Sequence, residues 1–465
     1  MTTLGEYAKV QGGFAYKSKD FIGASEYRVL KIKNVRFGTI DYSEPAFVPK
    51  NIAESTINWK LKEGDILISM TGSGPNAPQS LVGRVARVWK NEPDAWFNQR
   101  VGRISLVDNK KIHPDFIFYW LSLPQNQDFL VANSSGSANQ ANISGKTIES
   151  LPTPIVDYEI SSAIAKIARE LDEKIILNTQ TNQTLEQIAQ AIFKSWFVDF
   201  DPVKAKIETL ATGGCTDDAE LAAMGVISAK TLDELNSLKA SNPEAFNKLA
   251  QTAALFPKDL DSETGTPAGW NSGVIADIAK LNANSWTKKN RPEQVHYVDL
   301  SNTKNGRIET VTSYGFDEAP SRARRILNSG DTIIGTVRPG NRAFAFIGET
   351  EKPLTGSTGF AVLSPKEEFW TSFVYLATTN DDAIDEYARL ADGGAYPAIK
   401  PEVVADTPCV LPTKDIAQKF WQLTGAMLKK AHQARLENEE LAKTRDTLLP
   451  KLLSGEINVT SEVVE

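Results

Sequence analysis

The chain has 465 residues, 41% of them hydrophobic and 23% charged, and a formal net charge of −7. That length predicts two or more domains. No apolar run approaches the ~18–20 residues of a membrane span, and two distant cysteines, Cys215 and Cys409, provide no disulfide framework. A reducing cytoplasm is the expected compartment and no membrane partner is expected.

Residues 1–150 alternate short strand-like runs (RVLKIKNV, GDILISM, LVGRVARVW, GRISLV) with turn residues at Gly64, Gly72, Gly74, Pro75 and Pro78, then a helical stretch around Phe116 to Leu121. A polar loop, NSSGSANQANIS, leads to a break at Pro152 and Pro154. Residues 151–212 hold a long helix and its exit segment. Its apolar positions Ile160, Ile164, Ile167, Leu171, Ile175, Leu185, Ile192 and Trp196 are spaced by three, four or seven residues on either side of a polar middle. That is a seam that wants a partner helix. Residues 213–269 read as a polar connector with one short helix around residues 233–239, too polar to own a core.

The plan then recurs. Residues 270–406 carry HYVDLS, GDTIIGTV, AFAFIG and FAVLS, a helix around Phe373 to Leu376, and a loop at Gly393-Gly394. Residues 407–465 hold a second long helix and a tail, with a seam of Ile416, Phe420, Leu423, Met427, Leu441, Leu448 and Leu452. A constant shift of 256 aligns residues 151–197 with 407–453 without a gap, pairing Asn182 with Asn438 in the middle of the seams. Upstream, with small gaps, KIKNVRFGTID matches DLSNTKNGRIE, GDILIS matches GDTIIG, and GSANQANI matches GGAYPAI. A period this long marks a duplicated half-molecule, since solenoid units run about 20–50 residues.

The acidic total argues against a nucleic-acid binder, but the charge is unevenly spread. Residues 1–150 carry a net +4 and residues 270–349 a net +3, while residues 151–269 carry −8. Catalytic and cofactor motifs are missing. SGKT at Ser144 to Thr147 lacks the first glycine of a phosphate loop, because Gln140 stands there, so Lys146 decorates a loop-to-strand junction. His113, His296 and His432 do not pair with the cysteines at metal-ligand spacing. Neither GxSxG nor GxGxxG occurs. The Asn/Asp-Pro-Pro-aromatic tetrapeptide of amino-methyltransferases is absent, and Pro-Asp at 93–94 and 114–115 lacks an E-x-K partner. No catalytic residue, metal ligand or bound cofactor is therefore assigned.

Polar, basic and aromatic loops remain. The candidates for DNA contact are Ser73, Arg84, Arg100, Ser137, Asn139 and Gln140 in the first half, and Arg322, Arg338, Arg342 and Tyr396 in the second. Arginine grips phosphate and reads guanine through two parallel hydrogen bonds; the alternative for each is a solvated surface group. The helix ends IFKSWF and LLPKLL are apolar beyond what the seam needs. Ile192, Phe193, Trp196, Phe197, Leu448, Leu449, Leu452 and Leu453 are therefore candidates for a partner interface, or for closing the helix pair onto its own domains.

The whole arrangement resembles the specificity (S) subunit of type I DNA restriction–modification systems. The resemblance spans nearly the entire chain and rests on LPTPIVDYEISSAIAKIARELDEKI, AIFKSWFVDFDPVKA, GTPAGW, GDTIIGTVRPGNRAFAF, GGAYPAIKPEVV and LAKTRDTLLPKLLSGEI. It implies an α+β protein with two mixed α/β target recognition domains in tandem, each followed by a long helix. The helices would form an antiparallel coiled coil with pseudo-twofold symmetry. It further implies a non-catalytic subunit that reads a bipartite site in double-stranded DNA and docks two modification (M) subunits. Those M subunits would carry S-adenosylmethionine, and restriction (R) subunits would complete the complex. The longer acidic connector departs from this pattern. On residues alone, a stand-alone methyltransferase or nuclease and a protein-only coiled-coil scaffold stay open.

Overall fold

The computed structural model describes residues 1–73, 82–137, 140–394 and 396–459. The chain divides into two compact units, Met1–Leu177 with Glu437–Glu465, and Asn178–Leu436. Each long helix, Tyr158–Phe197 and Lys414–Ser454, contributes one part to each unit. The boundaries between the units thus fall inside the two long helices.

The first unit holds a four-stranded antiparallel sheet in the order Ala8–Gly12, Val101–Leu106, Ile66–Ser69, Val85–Arg87. A three-stranded sheet sets Arg28–Leu30 between antiparallel Ala46–Phe47 and parallel Ala95–Phe97. The second unit repeats both. Its first sheet runs Ala279–Leu281, Phe360–Pro365, Thr332–Gly335, Phe344–Phe346. In its second sheet Gln294–Val298 is again parallel to its neighbour Leu354–Ser357. The central strands Ile66–Ser69 and Thr332–Gly335 are buried at every position, which is why they read as continuous apolar runs. Each follows a Gly-Asp turn. Gly64 and Gly330 take φ of 86° and 91°, a left-handed conformation that glycine adopts without a Cβ clash. Their amides donate to Val88 O (2.9 Å) and Ile347 O (2.8 Å). The duplication is therefore one of backbone hydrogen bonds as well as sequence.

Helices Pro114–Ser122 and Thr371–Thr379 pack in the cores of their respective units. In the first unit, Ile164, Ala165 and Ala168 of the first long helix share a core with Leu449, Leu452 and Leu453 of the second. Lys174 pairs with Glu437 (3.5 Å), Asn438 Nδ2 donates to Ile175 O (3.2 Å), and Arg445 pairs with Asp172 (2.6 Å). Numbers fall along one helix as they rise along the other, so the pair is antiparallel there. In the second unit the Phe420 ring meets Phe193, Trp196 and Phe197 at 6.2, 5.7 and 4.8 Å.

Several expectations need correction. Ile160 and Leu423, assigned to the seams, are exposed, because the buried line drifts to Ser161, Ile164, Ala165 and Ala168 in the first helix. Asn182 and Asn438 are not equivalent: Asn438 bonds across the pair, whereas Asn182 Oδ1 is buried with no hydrogen-bond partner among the described residues. The polar loop after residue 133 contains a hairpin, Ser135–Ser137 against Gln140–Asn142. Lys146 lies in the short helix Gly145–Glu149, capped by Ser144, instead of at a loop-to-strand junction. The connector does own a core. Helices Thr216–Ser228, Leu232–Ser241 and Pro243–Ala254 enclose Ala223, Met224, Leu235, Phe246 and Ala253.

Three outcomes follow from these packings. Asp115 has a side chain only 3% exposed and serves both Arg87 (2.7 Å) and Arg169 (3.1 Å). Asp115→Ala strands the buried Arg87 and should cost about 3–5 kcal/mol, whereas Arg169→Ala, at a side chain 34% exposed, should cost about 0–1 kcal/mol. Equal shifts in urea midpoint would contradict this ranking. Trp196 is 2% exposed and Val198 is 52% exposed. Trp196→Ala should therefore cost about 3–5 kcal/mol and Val198→Ala should leave the melting temperature nearly unchanged. Burial pushes the Glu92 carboxyl from 4.5 to about 7, against the opposing hydrogen bonds from Trp89 N and Tyr42 OH. The folded state then keeps a proton that the unfolded chain has released. This contribution is complete below the unfolded pKa and is lost as pH rises through about 7. Glu92→Gln should flatten that decline, so urea midpoints of variant and wild type should diverge in the variant's favour from about pH 5 to about pH 8; parallel curves would refute it.

Candidate nucleic-acid interface

Three segments converge at the same place in each unit. In the first, the backbone beyond strand Ile66–Ser69 lies between the approach to strand Val101–Leu106 and the hairpin. Met70 N donates to Arg100 O (2.9 Å) and Ile143 N donates to Met70 O (2.9 Å). Thr71 Oγ1 donates to Asn142 Oδ1 (2.8 Å), and Ala141 pairs with Gly72. In the second unit, Thr336 N donates to Gly359 O (2.8 Å), Ile399 N to Thr336 O (2.9 Å) and Arg338 N to Pro397 O (2.7 Å), and Val337 bridges Ala398. Gly136 and Gly393, which open the third segment, have φ of 119° and 118°. The two frames match while their side chains differ.

The candidate residues fall into distinct environments. Arg100 is exposed, with no side-chain hydrogen bond or ion pair among the described residues. Gln140 is exposed in the hairpin, Ser137 pairs with it through the backbone, and Ser73 is half-buried at the segment's edge. Asn139 lies outside the described residues. Arg84 needs correction as a DNA contact. It is buried, its Nη2 donates to Ile32 O (2.8 Å), and burial pushes its pKa down. A guanidinium used inside the domain is not presented to a partner.

In the second unit, Arg322 Nε donates to the Tyr297 hydroxyl (2.8 Å) and to Asp299 (3.0 Å). Burial raises the Asp299 pKa, but hydrogen bonds from Tyr297, Ser301 and Arg322 outweigh it and hold the carboxyl at about 2. Arg322 is therefore tied to a carboxylate ionised across the ordinary pH range, although its side chain is largely exposed. Arg342 donates to Asn305 Oδ1 (3.1 Å) and pairs with Asp381 (2.7 Å). Arg338 lays its guanidinium over the Tyr396 ring, 4.7 Å from the centroid. Tyr396 is 71% exposed. Arg338 and Arg342 flank the turn Pro339–Asn341 and both are left-handed, with φ of 49° and 59°. Such a backbone costs about 1–3 kcal/mol for each non-glycine residue and clusters at functional sites.

The apolar helix ends belong to the interior. Phe193, Trp196 and Phe197 are buried with Phe256, Trp270 and Phe420, and Leu449, Leu452 and Leu453 are buried in the first unit's core. Ile192 and Leu448 are partly buried beside them. As a partner interface six of the eight are corrected: Phe193, Trp196, Phe197, Leu449, Leu452 and Leu453 are buried inside their own units, whereas Ile192 and Leu448 keep part of their surface exposed. Sequence reasoning missed Thr71 and Asn142, which join two of the converging segments. It also missed Asn305, which holds Arg342. The Asn305-Gly306 dipeptide, a turn signal, pointed to the last.

Residues 1–187 match the family model described as the type I restriction modification DNA specificity domain. The chain is 31% identical over 412 residues to the HindI specificity subunit of Haemophilus influenzae, covering 85% of this chain and 87% of that one. It is 21% identical over 422 residues to the MjaIX specificity subunit of Methanocaldococcus jannaschii, covering 88% and 82%. A crystal structure of the type I restriction–modification S subunit from M. genitalium aligns over 98% of this chain and 96% of that one, at 16% identity and a TM-score of 0.49. With identity to the H. influenzae protein sustained over most of both chains, this chain belongs to the family of type I restriction enzyme specificity subunits, the DNA-recognition and not the catalytic component of those enzymes.

Proposed function

We propose that this chain reads a bipartite target in double-stranded DNA, one half through residues 1–150 and the other through residues 270–406. In this reading it docks two modification subunits, which bring S-adenosylmethionine and perform the methyl transfer in the cytoplasm. Restriction subunits complete the assembly. The observation that carries it is the repeated convergence of three loop segments on one backbone frame with different side chains. A shared frame with divergent side chains is what two readers of two different half-sites need, because base identity is read by side chains while the backbone sets their position. Family membership sets aside the stand-alone enzyme and the protein-only scaffold.

The test is a domain exchange. Residues 1–150 are replaced by those of a related specificity subunit, and methylation is mapped at base resolution in cells that also carry the modification subunit. One half of the methylated site should change and the other should persist. A change in both halves, or in neither, would overturn the division of labour.

A further inference from the structure

We propose that Tyr396 is a positioning residue for base readout: its ring holds the Arg338 guanidinium in the plane needed to pair with one guanine. The proposal rests on the reading of residues 270–406 as a half-site reader. Arg338 and Tyr396 stand 58 positions apart in sequence, yet their segments are joined backbone to backbone. Arg338 N donates to Pro397 O (2.7 Å), Val337 bridges Ala398, and Tyr396 N donates to Gly393 O (3.1 Å). The other end of the arginine turn is pinned by Arg342, through Asn305 and Asp381. Pro339 is buried between the two arginines and fixes one backbone angle of the turn. With both backbones held, the guanidinium-over-ring contact at 4.7 Å restricts the long arginine side chain.

The chemistry follows from the shape of the guanidinium. Its planar fork matches O6 and N7 on the major-groove edge of guanine, and no other base offers two acceptors there. An arginine side chain is otherwise rich in rotamers, and ordering it opposes binding. A ring already lying against the guanidinium removes part of that ordering. Tyr396 contributes through its face, by cation–π attraction and stacking; the hydroxyl is not required. Lysine, a compact point charge, cannot reproduce the fork.

The test uses the specificity chain assembled with its modification subunit, read by base-resolution methylation mapping and by competition binding with duplexes varied at each position of the site. Arg338→Ala should relax one guanine position in the half-site assigned to residues 270–406, by about 5- to 150-fold, the span of one bidentate pair. Arg338→Lys should not restore it. Tyr396→Leu should relax the same position and no other, and Tyr396→Phe should keep wild-type discrimination. Adding Tyr396→Leu to Arg338→Ala should cause no further loss. Tyr396 is mostly exposed, so these variants should melt as the wild type does. Even weakening on all sequences with a flatter salt dependence would reassign the pair to phosphate contact. A Tyr396→Phe loss equal to that of Tyr396→Leu would reassign the role to the hydroxyl, and unchanged discrimination would remove the role altogether. Exchanging residues 270–406 separates the two layers. If the exchange moves no half-site, the underlying reading fails; if it moves one half-site while Tyr396→Leu leaves discrimination intact, only the positioning role fails.

Discussion

Asp172 accepts the Tyr119 hydroxyl (2.8 Å) and the Arg445 guanidinium (2.6 Å) at the same time. One carboxylate on the first long helix thereby ties the globular part of the first unit to a specific turn of the second helix. A charge this buried is tolerated only when it is paired and its lone pairs are hydrogen-bonded. Sliding either helix by one turn would strand it. Apolar seams alone tolerate such slips better, because one leucine fits much as another does. A buried ionic group of this kind fixes register more than it adds stability. The second unit repeats the tyrosine–carboxylate half of this arrangement with other residues, and its arginine binds a backbone carbonyl instead. Tyr375, which follows Tyr119 by the repeat spacing, donates to Glu186 (2.6 Å), while Arg435 donates to Gly306 O (2.6 Å). In both units the carboxylate comes from the first long helix and the arginine from the second.

The duplication has been kept where the backbone needs it. Gly64 and Gly330, and Gly136 and Gly393, hold matched left-handed or extended-glycine conformations. Side chains at the loop tips differ almost everywhere: Arg100 stands where the second unit has Gly359, and Tyr396 stands where the first has Gln140. A backbone frame held by its own hydrogen bonds can change such side chains at little cost to stability, since surface substitutions away from packed groups usually shift it by less than about 0.5 kcal/mol.

Much of this was legible in the sequence, for physical reasons. Ile164, Phe420 and Trp196 are buried as their spacing predicts, because helix periodicity maps directly onto a face. The doubled Gly-Asp strands were legible because left-handed turns admit so few residue types. Arg84 was not, since nothing local separates an arginine that turns inward to Ile32 O from one that faces water. Ile160 was misassigned because a seam read at helix ends drifts with small changes in packing. The connector's core was missed because it is built largely from small residues, Ala223 and Ala253 beside Met224, Leu235 and Phe246, within a strongly charged stretch. The Arg338–Tyr396 stack joins residues distant in sequence and could be seen only in three dimensions.

The way the compact units are threaded has a bearing on synthesis. Residues 178–436 form one unbroken stretch, whereas the unit that starts at Met1 is completed by residues 437–459. Leu449, Leu452 and Leu453 belong to that unit's core, and Arg445 neutralises its buried Asp172. At translation rates of about 5–20 residues per second, the 259 intervening residues take roughly 13–52 seconds to emerge. Throughout that interval the part made first lacks the helix that seals it, while the part made second can already collapse on itself. Nascent chains of this protein therefore carry an open apolar seam until residues 437–459 have emerged, and the order in which the units mature is the reverse of the order in which they begin.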